Sequence, residues 1–258
     1  MKLQGGAGSV KTSVAYDYRD MSKMAAKMVA DAIRARPNLV LGLATGSTPL
    51  GMYKELIRMH IEEGLDFSQV TTFNLDEFCG ISPDNKHSYR YYMCQNFFNH
   101  VNVKPENIYI PDGKAEDIEE FCREYDRKIE ELGPIDLQIL GIGRNGHIGF
   151  NEPADRLKVD THVVTLAEET IQTTASFFDN PGDVPKKAIT MGLGAIMKAK
   201  KILLLANGRK KATIMASLLK DRHVTTKLPA SFLYLHPDAT IIMDREAAGE
   251  ALERKTAG

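Results

Sequence analysis

The sequence predicts an α/β fold: a single Rossmann-like, doubly wound domain over residues 1–258, with a mainly parallel sheet covered by helices on both faces. Short apolar runs of strand length alternate along the chain with stretches of helical periodicity. The run Leu39-Val-Leu-Gly-Leu43 is apolar throughout, as suits a strand covered on both faces. No internal repeat, low-complexity tract or linker divides the 258 residues.

The elements follow in order. Met21, Met24, Ala25, Met28, Val29, Ala32 and Ile33 recur at helical spacing, and Pro37 closes that segment. Leu39-Val-Leu-Gly-Leu43 is short enough for a buried strand. A helix near 49–63, a strand near 70–75 and helices near 89–99 and 115–132 come next. The strand Asp136-Leu-Gln-Ile-Leu140 runs into a long non-periodic stretch ending near 162. The remaining expectations are a strand at 163–166, a helix at 185–198, a strand at 201–206, a helix at 209–220, a strand at 239–243 and a short terminal helix.

Bulk properties narrow the function. Apolar residues at 43% and charged residues at 26% are ordinary for a soluble globular chain. A formal charge of −1 supplies no general attraction to nucleic acid or an anionic membrane. Cys79, Cys94 and Cys122 are odd in number and lack C-x-x-C spacing, which argues against a disulfide framework or a structural zinc site. With no signal peptide and no 18-residue apolar run, a cytoplasmic protein is expected. The sequence leaves both a monomer and a homo-oligomer open.

In open α/β sheets the site lies at the carboxyl ends of strands, so four loops matter. In Ala44-Thr-Gly-Ser-Thr-Pro49, Thr48 is expected as N-cap and Pro49 as the first helical residue. The amides of Gly46, Ser47 and Thr48 at that helix terminus would then suit a phosphate or carboxylate. In Phe73-Asn-Leu-Asp-Glu-Phe78 two carboxylates follow a strand; neighbours on extended backbone point oppositely, so one of them is expected to reach a ligand as proton acceptor. Leu205-Ala-Asn-Gly-Arg-Lys-Lys211 places cations at a helix start, which opposes the macrodipole unless an anion intervenes.

The remaining loop, Gly141-Ile-Gly-Arg-Asn-Gly-His-Ile-Gly-Phe-Asn-Glu-Pro153, contains the spacing G-x-G-x-x-G. A dinucleotide fingerprint needs a helix starting within the glycines. Gly149 and Pro153 disfavour one here. An irregular loop presenting Asn145, His147 and Glu152 is the better reading, because a histidine beside an amide and a carboxylate can be oriented for proton transfer.

Together LGLATGSTP, FNLDEF, GIGRNGHIGFNEP, FFDN…VPKKAIT and SFLYLHPDATII closely resemble the glucosamine-6-phosphate deaminase family, in order and over nearly the whole chain. The resemblance implies conversion of D-glucosamine 6-phosphate and water to D-fructose 6-phosphate and ammonia, without metal or organic cofactor. It assigns Asp76 as the base for C2-to-C1 proton transfer, His147 as the ring-opening acid–base group and Glu152 as its partner. Asn145, where many members carry Asp, is left to orient rather than to accept a proton. Gly46, Ser47, Thr48 and Lys211 match the phosphate site, and residues near 166–189 a mobile lid. One departure stands out: Ser176 replaces an arginine that the family uses to clamp phosphate from the lid. Lys186, Lys187 or Arg209 would have to compensate, or the phosphate requirement is altered. A catalytically silent sugar-phosphate-sensing module and a 6-phosphogluconolactonase are the competing readings.

Overall fold

Seven parallel strands make up the body of the main sheet in the computed structural model, which describes residues 2–3, 10–175, 178 and 180–253. In chain order the first elements are β1 (Lys2–Leu3), β2 (Lys11–Ala15), α1 (Tyr18–Ala35), β3 (Val40–Leu43), α2 (Leu50–Glu63), β4 (Thr71–Asn74) and β5 (Asp76–Phe78). They are followed by α3 (Tyr89–Asn96), β6 (Ile108–Tyr109), α4 (Ile118–Leu132), β7 (Leu137–Gly141), β8 (His162–Thr165) and α5 (Glu168–Ala175). The last are β9 (Lys187–Thr190), α6 (Leu193–Lys198), β10 (Ile202–Ala206), α7 (Ala212–Asp221), β11 (Ala239–Asp244) and α8 (Arg245–Glu253).

The main sheet has the order β1-β2-β11-β10-β7-β3-β4-β6, with only β1 antiparallel to its neighbour. Because strand side chains alternate between faces, each strand feeds two cores. Leu41, Leu43, Leu203 and Leu205 pack with α1, α2 and α3 on one face. Val40, Ile202, Leu204 and Ala206 pack with α4, α6, α7 and α8 on the other. This double burial is why β3 and β10 read as unbroken apolar runs.

From β3 the chain steps outward through β4 to β6. It then returns to β7, beside β3, and continues the other way through β10 and β11. Strand order therefore reverses between β3 and β7, and a crevice opens there beyond the strands' carboxyl ends. A second, antiparallel sheet has the order β5-β9-β8, and Asp76 of its β5 lines the crevice.

That small sheet corrects the helix expected at 185–198. Residues 187–190 are strand, paired with β5 on one side and β8 on the other, and a helix begins only at Leu193. Ala188 and Ile189 are fully buried by this pairing, a long-range gain that outweighs local helical spacing. It also takes residues 187–189 out of the segment expected as a lid. Ser176 lies outside the described residues.

Candidate active site

A cleft of about 330 Å³ lies at the β3/β7 switch point, lined among others by residues 44–48, Asp76, Asn145, His147 and Lys211. Four separate loops thus converge on one place. Of the eight residues singled out from sequence, Glu152 alone does not line the cleft; it sits one hydrogen bond behind it.

The 141–153 loop is built around its histidine. Gly143 lies so close under the His147 ring that a Cβ there would meet ring atoms at 2.2–2.5 Å. The backbone closes through Gly143 N–H donating to His147 O at 2.9 Å and Gly146, at φ +89°, donating to Gly143 O at 3.1 Å. These glycines make room for an imidazole and a tight turn; no helix starts among them.

Asn145 Oδ1 accepts from the His147 backbone N–H at 3.2 Å and lies 2.7 Å from Nδ1. Its Nδ2 donates to Glu152 Oε2, which is also 3.2 Å from Nδ1. The backbone donor fixes which end of the amide is oxygen, so Nδ1 faces two acceptors and carries the proton. In the neutral ring the lone pair is then on Nε2. Burial works against ionisation of Glu152, but hydrogen bonds from His147, Thr170 and Asn145 outweigh it and bring its pKa down to about 2.

Asp76 and Glu77 divide as strand alternation requires. Glu77 turns from the cleft and accepts N–H groups of Phe78, Tyr89 and Arg90, anchoring the start of α3. Asp76 lines the cleft with only 7% exposure and no hydrogen-bond donor among the described residues. Burial, with a smaller contribution from the Glu77 charge, raises its pKa to about 8.

The 44–49 turn differs from expectation. Pro49, not Thr48, precedes the first residue of α2, and no side chain caps it. The Thr48 hydroxyl instead donates to Asn207 Oδ1 at 2.6 Å, tying this turn to the loop after β10. There Arg209–Lys211 form a single 3₁₀ turn before α7, and the Lys211 ammonium crosses to Ile142 O at 2.5 Å. The amides of Gly46, Ser47 and Thr48 have no acceptor among the described residues.

Two residues that sequence reasoning passed over stand at the site. Thr170 on α5 donates to Glu152 Oε1 at 2.7 Å and lines the cleft. Arg144 lines it as well, as Lys211 does, whereas Lys186, Lys187 and Arg209 do not. Among the described residues, no group of three or more His, Cys, Asp or Glu side chains is placed to hold a metal ion. No helix of these residues is long and apolar enough to cross a membrane.

Residues 17–242 match the model of the glucosamine-6-phosphate isomerases/6-phosphogluconolactonase family. The chain belongs to that family. Within the isomerase/lactonase family it is 59% identical to a glucosamine-6-phosphate deaminase of Thermoanaerobacter pseudethanolicus, over 93% of this chain and 94% of the relative. A Bacillus velezensis glucosamine-6-phosphate deaminase is 50% identical over 90% and 96%. The solved structure of a monomeric glucosamine-6-phosphate deaminase superposes with a TM-score of 0.89 at 48% identity, covering 92% of this chain and 98% of that one. A 6-phosphogluconolactonase from Thermotoga maritima has a TM-score of 0.71 at 20% identity, a likeness of fold alone.

Proposed function

We propose that this isomerase/lactonase-family chain is a glucosamine-6-phosphate deaminase: D-glucosamine 6-phosphate and water give D-fructose 6-phosphate and ammonia. The observation that carries this reading is the union, in one cleft, of an anion-binding turn, a buried carboxyl and an oriented histidine. Relatives of that name at 50–59% identity support it. Residues 1–258 act as one sugar-phosphate domain. The Gly46–Thr48 amides and Lys211 hold the phosphate, which fixes the sugar's far end.

His147 Nε2 takes the proton of the C1 hydroxyl and returns one to the ring oxygen, opening the pyranose. Glu152 stabilises the imidazolium formed between these steps. Asp76, as carboxylate, removes the C2 proton to give an enediol-type enolamine and delivers it to C1, leaving an imine at C2. Water adds at C2 and ammonia departs as the ketone forms. A buried carboxylate of raised pKa is a stronger base toward carbon than a solvated one. Asn145 has no proton to exchange and serves as a hydrogen-bonding strut. Thr170 joins α5, the lid of this reading, to Glu152.

Ammonia release is to be measured with glucosamine, glucosamine 6-phosphate and galactosamine 6-phosphate, and hydrolysis with 6-phosphogluconolactone. Turnover of glucosamine 6-phosphate alone is expected. Binding of it without ammonia release would support the sensing module, and lactone hydrolysis without ammonia the lactonase.

Ser176 favours a second reading, a weakened phosphate requirement. A charge-assisted contact contributes roughly 1.5–3 kcal/mol, so Ser176→Arg is expected to lower KM for glucosamine 6-phosphate by about 10- to 150-fold. An unchanged or higher KM would mean that cations such as Arg144 already serve the phosphate. Comparable turnover of unphosphorylated glucosamine would establish the second reading.

A further inference from the structure

The anion-binding turn is held by three phenols that no motif announces. Tyr53 donates to Ala44 O at 2.6 Å, Tyr92 to Gly46 O at 2.6 Å and Tyr18 to Ser47 O at 2.9 Å. The Tyr18 hydroxyl also accepts the Gly51 N–H of α2 at 2.8 Å, so one phenol spans the turn and the helix that follows. Tyr18 comes from α1, Tyr53 from α2 and Tyr92 from α3. Tyr53 belongs to the core between the sheet and these helices, and the other two pack against it.

The geometry of the peptide unit gives these contacts a consequence. In a trans peptide the carbonyl of one residue and the N–H of the next lie in one plane and point in opposite directions. Holding Gly46 O on Tyr92 therefore turns the Ser47 N–H the other way, and holding Ser47 O on Tyr18 does the same for Thr48. Residues 44–48 line the cleft, but none of the three tyrosines does. The carbonyls are drawn toward the helical layer, and the amides on their far ends are presented to the cleft. Gly46, at φ +99°, gives the turn a flexible backbone that without restraint would visit other conformations.

We infer that Tyr18 and Tyr92 are positioning residues for the substrate's phosphate, acting by pinning the carbonyls of Gly46 and Ser47 so that the following amides converge on the anion. This inference rests on the deaminase reading, in which the turn holds phosphate. Neither residue touches the reacting carbons. Their removal therefore weakens anion binding and leaves the chemical steps intact. Tyr53, wholly buried, holds the start of the turn and serves the fold as well.

The close approach that puts Tyr18 in place is also built in. A Cβ on Gly51 would come within 2.2 Å of Ser22 Oγ and 3.1 Å of the Tyr18 ring, so α1 can seat its phenol only against a glycine. Burial holds the Tyr92 hydroxyl well above its ordinary pKa, so it stays a donor through the neutral and mildly alkaline range.

The test uses Tyr92→Phe, Tyr18→Phe and the double variant of the full chain. Three quantities are read: KM and kcat for glucosamine 6-phosphate, the competitive Ki of inorganic phosphate, and Tm. One hydrogen bond contributes roughly 0.5–1.5 kcal/mol, so each single variant is expected to raise KM by about 2- to 12-fold. Phosphate Ki should rise by the same factor, kcat should stay within about twofold, and the double variant should lose roughly the product. The KM factor for Tyr92→Phe should not change across the neutral range.

Unchanged KM and phosphate Ki in both single variants would overturn the inference. So would a fall in kcat that tracks a lower Tm while phosphate Ki holds, the mark of a purely structural role. If the unmodified chain neither releases ammonia from glucosamine 6-phosphate nor binds phosphate, the deaminase reading fails and takes this inference with it. Wild-type binding with variant binding unchanged sinks the inference alone.

Discussion

Asp76→Asn is expected to lower kcat for ammonia release by roughly 10²–10⁴-fold, the usual worth of a positioned general base, and at the same time to raise Tm at pH 8. Both effects come from the same burial. The cleft takes the Asp76 carboxyl out of water and gives it no donor among the described residues, which raises its pKa to about 8. That makes the carboxylate basic enough to draw a proton from carbon, and it makes the ionised form costly to the folded chain.

The sign follows from where the proton sits. Below about pH 4 the carboxyl is protonated in folded and unfolded chains alike, and its ionisation does not act on stability. Between there and the folded value of about 8 the unfolded chain ionises while the folded one keeps its proton. Wild-type stability therefore falls with rising pH over that window and levels off above it. At about 1.4 kcal/mol per unit, the ceiling is several kcal/mol; water entry and relaxation reduce it. Asn carries no such charge, so the Tm difference between variant and wild type should be small near pH 4, grow toward pH 8 and then stay flat. A difference that stays flat across this window would mean that Asp76 ionises as freely in the folded protein as in the unfolded chain, and one that shrinks would mean that the fold favours the carboxylate. The same pKa puts an acid limb on wild-type kcat/KM, with activity falling below about pH 8 as Asp76 takes up its proton. Glu152, held near 2, ionises far below that range and cannot produce this limb.

What the sequence revealed of this site was its local part. Four strand-to-loop junctions, the turn at Gly46–Thr48 and the 141–153 loop are set by residues within a few positions of each other, and strand alternation separates Asp76 from Glu77. Expectation failed where a partner came from far along the chain. Thr48 has the composition of an N-cap, but Asn207, 159 positions away, takes its hydroxyl. Residues 187–190 have helical spacing, but two flanking strands claim their backbone. Thr170 and the three phenols are invisible for the same reason: a tyrosine on an amphipathic helix reads as core. Only the fold shows that its hydroxyl reaches a particular carbonyl. The cluster Ser88-Tyr-Arg-Tyr-Tyr92, following so closely on the acidic strand end, was the one available hint.

His147→Gln is expected to cost roughly 10²–10⁴-fold in kcat with the cyclic substrate, while binding of an open chain survives. The reason lies in what the ring does here. Its Nδ1 proton is committed to Asn145 and Glu152, so Nε2 is the nitrogen left to trade protons with the sugar. In the proposed mechanism that exchange opens the pyranose and has no part in the later C2-to-C1 transfer. The amino alcohol 6-phosphate made by reducing glucosamine 6-phosphate at C1 cannot close a ring. Its inhibition constant should therefore change by less than about threefold in His147→Gln, a shift below 1 kcal/mol. A Glu152→Gln variant separates orientation from charge. Its amide oxygen can accept from both Nδ1 and Asn145, and its NH₂ can donate to the Thr170 hydroxyl, so the pattern of contacts persists without the negative charge. The loss expected is roughly 10- to 100-fold in kcat, smaller than for removing the ring, because only stabilisation of the transient imidazolium is forfeited. If the reduced inhibitor weakens in parallel with kcat in His147→Gln, the histidine is holding the open chain. Ring opening would then have to be assigned elsewhere in the cleft.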